Sequence, residues 1–169
     1  CSSTRKAIGL MDDAGRKSRL HSLKMVKAKW LRRSPAERVF LLEAFILLGA
    51  ARLCVVLFPM KWLARTLGTH MHDDQTPLTP SCSETALNIG RAVRSAAGWT
   101  PWESACLPQA VAAKWLLKRR NIPATVYLGV MKDESKPEKM AAHAWVRCGR
   151  FILTGADGHR RFTVVSTFS

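Results

Sequence analysis

Apolar residues keep several distinct rhythms along this chain, and each predicts a different kind of element. From Val39 to Met60 (VFLLEAFILLGAARLCVVLFPM) they recur almost without pause, and Glu43 and Arg52 are the only charges among them. The run follows Ser34-Pro35-Ala36-Glu37. There a Ser and a Glu three residues apart form a capping box, and proline takes the first helical position, where an N–H is not needed. This predicts a helix to about Leu57, ended by Pro59 and deeply packed, because apolar residues surround it. Lys61 to Leu67 adds another turn or two, stopped at Gly68. Thr69 to Pro80 reads as a loop. A second capping box, Ser81-Cys82-Ser83-Glu84, opens a helix whose apolar stripe is Leu87, Ile89, Val93, Ala96 and Ala97, with Gly98 as its stop.

The next segment, ACLPQAVAAKWLLKRR, predicts a helix over roughly Ser104 to Arg120. Proline is tolerated only in the first turn, so Pro108 forces the helix to begin a few residues before it. That places Cys106 in or just before the first turn. Asn121 suits a left-handed stop and Pro123 forbids continuation. Beyond it the period changes to that of strands. Ala124 to Val130, Ala142 to Cys148, Phe151 to Thr154 and Phe162 to Phe168 are short, β-branched or alternating, and separated by a charged loop and by turns at glycine. One helix followed by about four sequential strands predicts an α+β fold with a small antiparallel sheet. The chain then divides into a basic N-terminal region at 1–28, a helical segment at 29–80 that packs on the core, and the core itself at 81–169.

Charge adds a partner class to this picture. There are 27 Lys and Arg against 12 Asp and Glu, a net charge of +15. Ten of the basic residues lie between Arg5 and Arg33, opposed only by Asp12 and Asp13. Such a field attracts nucleic acid, anionic lipid or an acidic peptide. No helix-turn-helix, zinc-finger or RNP-like pattern accompanies it and there is one Tyr, so nucleic acid is not an expected partner. The cysteines at 1, 54, 82, 106 and 148 show neither CxxC nor zinc-ligand spacing. They point to a reducing, cytoplasmic compartment, in keeping with a first stretch that lacks the apolar core of a signal peptide. The 39–60 run is long enough to raise the question of a membrane span. Glu43 and Arg52 would each cost about 2.5–3.5 kcal/mol at the bilayer centre, so a buried or interfacial helix is expected, the latter at the inner face of the membrane. His70 and His72 stand beside Asp73 and Asp74, but a polar linker accounts for all four.

Candidate chemistry begins at Cys106. A thiol at a helix N-terminus meets the positive end of the dipole, which favours thiolate, and free N–H donors that suit an oxyanion. His143 lies in the alternating segment His143-Ala144-Trp145, so its ring and the indole of Trp145 share one side of a strand. Trp145 is a candidate wall for a substrate. A base of this kind needs a third group to orient it. Asp157, past the next strand, is the candidate, with Glu103, Asp133 and Glu134 as rivals. His159, in a polar turn, is a weaker candidate base than His143.

A Cys at a helix start, a His on a strand and an Asp after the next strand follow the order of the transglutaminase-like and papain-like superfamily. The resemblance is closer still in Cys106-Leu107-Pro108-Gln109-Ala110, in Lys118 to Ala124, in Leu128-Gly129-Val130, in His143-Ala144-Trp145-Val146 and in Phe162 to Phe168. These segments look like those of the lasso-peptide biosynthesis B proteins, the leader peptidases of that pathway. The likeness covers about residues 82–169, and the apolar segment 35–68 is also similar.

That resemblance implies a transglutaminase-like core with Cys106, His143 and Asp157 as catalytic residues and with Gln109 and Trp145 at the substrate. It implies a precursor peptide cut between leader and core, with no metal or organic cofactor. Its implied partners are a winged-helix-like leader-recognition protein and an ATP-dependent macrolactam-forming cyclase. No copy of the leader-recognition domain is seen here, so it is expected as a separate protein or ahead of Cys1. Two alternatives stand beside this reading: a transglutaminase-like acyl transferase, and a non-catalytic basic module that binds nucleic acid or peptide.

Overall fold

The structure, a computed structural model, describes residues 34–72, 77–101, 105–132 and 140–169. Contacts divide the chain into Cys1–Arg38 and Val39–Ser169. The expected 1–28 region and the rival acids Glu103, Asp133 and Glu134 lie outside the described residues.

Helix α1 spans Pro35–Leu57. Its capping box forms as the sequence requires: Ser34 N–H donates to Glu37 Oε2 at 2.9 Å, and Glu37 N–H to Ser34 Oγ at 3.3 Å. The expectation of deep packing is wrong, because only 22% of its apolar window is buried. Leu41, Ala44, Leu48 and Ala51 form one buried stripe, while Leu42, Ile46, Leu53 and Val56 are more than half exposed. At 100° per residue these two sets fall on opposite faces. A helix that is apolar all round does not reveal which side packs. Glu43, its interior acid, forms an ion pair with Arg120 and approaches Arg119 at 3.8 Å.

Helix α2 spans Met60–Leu67, and helix α3 spans Pro80–Ala97. The second capping box is misplaced by two residues. Pro80 sits at the first helical position, and the Thr79 hydroxyl caps by accepting from Cys82 N–H at 3.3 Å. Proline, with fixed φ and no N–H, decides where such a helix starts. Gly98 follows the last turn in right-handed geometry, at φ −70°.

Helix α4, Cys106–Lys118, ends as the sequence predicts, with Asn121 left-handed at φ 53° and Ile122 N–H returning to Leu117 O. Ala110, Val111, Ala112, Ala113, Leu116 and Leu117 are fully buried, since the helix contacts α3, α2 and three strands of the sheet. Each of the larger side chains contributes about 1.5–3 kcal/mol by leaving water.

The strands are β1 (Thr125–Lys132), β2 (Met140–Cys148), β3 (Phe151–Thr154) and β4 (Thr163–Phe168). They form one antiparallel sheet in the order β3-β2-β1-β4. The fold class is therefore α+β, as expected. The order is not a simple meander: β4 joins β1, on the far side of the sheet from β3. The connection from Gly155 to Phe162, with one 3-10 turn at His159–Arg161, must cross between the two edges. It runs over the face that carries His143 and Trp145. Phe162 lies 5.0 Å from the His143 ring, and His159 lies 5.9 Å from that of Trp145.

Candidate active site

Cys106 is the first residue of α4. Ala105 precedes it in extended conformation and offers no side-chain group to cap the helix. The first turn holds no acid to offset the positive end of the dipole. Pro108 contributes no N–H, so the amides of Cys106 and Leu107 are the first-turn donors beside the sulfur. Cys106 itself is half-buried.

His143 sits on β2, paired in register with Gly129 of β1. Its ring stacks 5.9 Å from Trp145, whose indole in turn stacks on Tyr127 at 5.5 Å and 2°. Trp145 is only 5% exposed. The lining of the cavity shared by Cys106 and His143 does not include it, and the indole backs the imidazole.

That cavity, of 410 Å³, brings together Cys106, Gln109, His143, Asp157 and Arg94, with Ile152, Gly155 and Ala156 completing it. Gln109 stands one turn after Cys106 on the same helix. Arg94 reaches in from α3, and its guanidinium donates to Leu153 O. A larger cleft of 580 Å³ is lined by Leu78, Pro80, Ser83, Arg147 and Arg150 among others, but it holds neither thiol nor imidazole.

Of the expected trio, Cys106, His143 and Asp157 thus share one cavity. The orienting bond is different from the one expected. His143 Nε2 lies 2.9 Å from the carbonyl oxygen of Gly155. Among the described residues no hydrogen bond or ion pair joins Asp157, which is exposed, to the imidazole. Gly155 is at φ +68°, and a Cβ there would stand 2.4 Å from Ala144 O and 2.9 Å from Trp145 Cβ. Its carbonyl reaches the imidazole from a backbone conformation that side chains rarely adopt. The sequence carried a signal for this position, a Gly in a Thr-Gly-Ala-Asp-Gly turn, but a main-chain acceptor leaves no residue type to read.

His159 Nδ1 is bonded to Ala156 O at 2.6 Å, outside that cavity. His70 and His72 pair with Ser166 and Ser169, each at 2.7 Å, where residues 69–71 lie against the end of β4. No metal-ligating cluster occurs among the described residues.

A helix with a cysteine at its start, packed on a small antiparallel sheet with an imidazole on the adjoining strand, holds the two groups that thiol-dependent acyl transfer uses. Residues 54–167, more than half of the chain, match the family model of the transglutaminase-like superfamily, and the chain belongs to that superfamily. The superfamily includes cysteine peptidases and transglutaminases. No curated protein and no solved structure matches the chain.

Proposed function

We propose that this chain is a cysteine peptidase that removes the leader from a ribosomally made lasso-peptide precursor, with Cys106 as nucleophile and His143 as base. The observation that carries the reading is that both side chains open into one cavity at the start of α4, inside a transglutaminase-like domain. The sequence likeness described above supplies the substrate class.

In the proposed cycle Gly155 O engages Nε2–H, which leaves Nδ1 to take the proton of Cys106. The thiolate attacks the last carbonyl of the leader, and the amides of Cys106 and Leu107 receive the oxyanion. Collapse breaks the peptide bond, and His143 returns the proton to the departing core amine. Water, deprotonated by His143, then cleaves the thioester, giving the leader carboxylate and free Cys106. Gln109 lies where it would meet the peptide; Asp157 lines the approach. The same reading assigns a separate leader-recognition protein and a macrolactam-forming cyclase as partners, and no cofactor for the cut.

Incubation of wild type and Cys106→Ala with a candidate precursor and its leader-binding partner tests this. Loss of at least roughly 10⁴-fold in the variant is expected for removal of a nucleophile. Full activity in Cys106→Ala would remove the assignment. Family membership equally admits transfer to an amine acceptor. Mass spectrometry separates the two, since hydrolysis adds one water across the cut bond and transfer joins the acyl group to the acceptor.

A further inference from the structure

We propose that the outer face of α1 docks on an anionic phospholipid bilayer, lying in the headgroup plane rather than crossing it. The helix is long and apolar enough to cross a membrane by length and composition alone, and the usual soluble explanation of such a helix, burial in a core, fails here because only 22% of its window is buried. Leu42 at 57%, Ile46 at 60%, Leu53 at 60% and Val56 at 64% exposed share the outward side, with Leu57 in the last turn and Trp62 beyond the helix end adding to it. An exposed apolar face of this length marks an interaction site.

Charge selects lipid as the occupant. The stretch from Arg5 to Arg33 carries ten Lys and Arg against two Asp and ends just ahead of the capping box. Beyond the helix follow Lys61 and Arg65, the latter over the Trp62 ring at 5.8 Å. Basic residues at both ends, apolar residues between and a Trp at one end are the composition that anionic interfaces attract. Within the helix, Glu43 is tied to Arg119 and Arg120 at the end of α4, and Leu41, Ala44, Leu48 and Ala51 are already buried. The inner face is therefore committed to protein, which leaves the outer stripe for lipid and favours an interfacial position over a span.

Co-sedimentation of the full chain with vesicles of equal parts phosphatidylglycerol and phosphatidylcholine, and with phosphatidylcholine alone, tests the proposal. Binding to the anionic vesicles is expected, weakening as salt rises from about 50 to about 500 mM. The triple variant Leu42→Ser/Ile46→Ser/Leu53→Ser changes exposed positions only and should keep its circular dichroism. It should bind roughly tenfold or more weakly. Three outcomes overturn the proposal: no binding to anionic vesicles, equal binding by the triple variant, or retention of the protein in vesicles after alkaline carbonate washing, which indicates a span. None of these readouts depends on peptidase activity, so the two proposals fail separately.

Discussion

The imidazole Nε2 of His143 and the carbonyl oxygen of Gly155 stand 2.9 Å apart, so the group that orients the candidate base is the main chain and not a carboxylate. A carbonyl oxygen only accepts hydrogen bonds and carries no titrating proton. It fixes the Nε2–H tautomer without adding a negative charge to the site.

Substitution of Gly155 should therefore disturb the base directly. In Gly155→Ala the new methyl would meet Ala144 O and Trp145 Cβ at 2.4 and 2.9 Å, in a left-handed backbone. A loss of roughly 1–3 kcal/mol is expected from urea denaturation. A fall of about 10²-fold in kcat/KM should accompany it in the protein that remains folded. The measurement specific to positioning is ¹⁵N NMR of the His143 ring in a Cys106→Ala background. Nε2 should carry the proton when Gly155 is present, and the tautomers should mix when it is replaced. An unchanged ring spectrum in Gly155→Ala would exclude the carbonyl as the orienting group.

Asp157 offers the converse experiment. Removing the acid of a working triad costs about 10⁴-fold. Because the Asp157 carboxylate lines the cavity without bonding the imidazole, Asp157→Asn should keep kcat/KM within about threefold of wild type, with an unaltered pH profile. A loss approaching the triad value would return Asp157 to the role that its place in the sequence suggested.

The contrast between these two residues shows what the chain alone made legible. Pro108 dated the start of α4 and so placed Cys106; alternation put His143 and Trp145 on one face; Asn121 and Pro123 marked the helix end. Each is a local rule, set by a proline ring, a strand period or a left-handed backbone. Strand order is not local. That β4 crosses to β1, carrying Gly155 to Phe162 over His143, depends on pairing between segments some 40 residues apart, and no short pattern encodes it. The packing side of α1 was hidden for a related reason, since a helix apolar on every face has no face to read.

Helix α3 gives a clean test of one corrected boundary. Thr79→Ala removes the hydroxyl that receives Cys82 N–H and should cost about 1 kcal/mol. Ser81→Ala, at the position the sequence favoured, should cost no more than a few tenths. Chemical denaturation of the two single variants decides between the caps, and a larger loss for Ser81→Ala would restore the original start.

Gly129 lies opposite His143 in the β1–β2 register, and its missing side chain is what lets the indole of Trp145 lie across β1. A Cβ there would stand 2.9 Å from Trp145 Cζ3 and 2.8 Å from Phe162 Cβ. Gly129→Ala should accordingly cost about 1–3 kcal/mol by overpacking, and should lower activity by shifting the ring that backs the imidazole. Trp145→Phe withdraws the outer indole ring and so relieves one of the two clashes. In the double variant part of the stability should return, giving a coupling of roughly 0.5–3 kcal/mol in the cycle. Strict additivity would mean that Gly129 and Trp145 do not share this space, and Gly129 would not be what lets the indole back the imidazole.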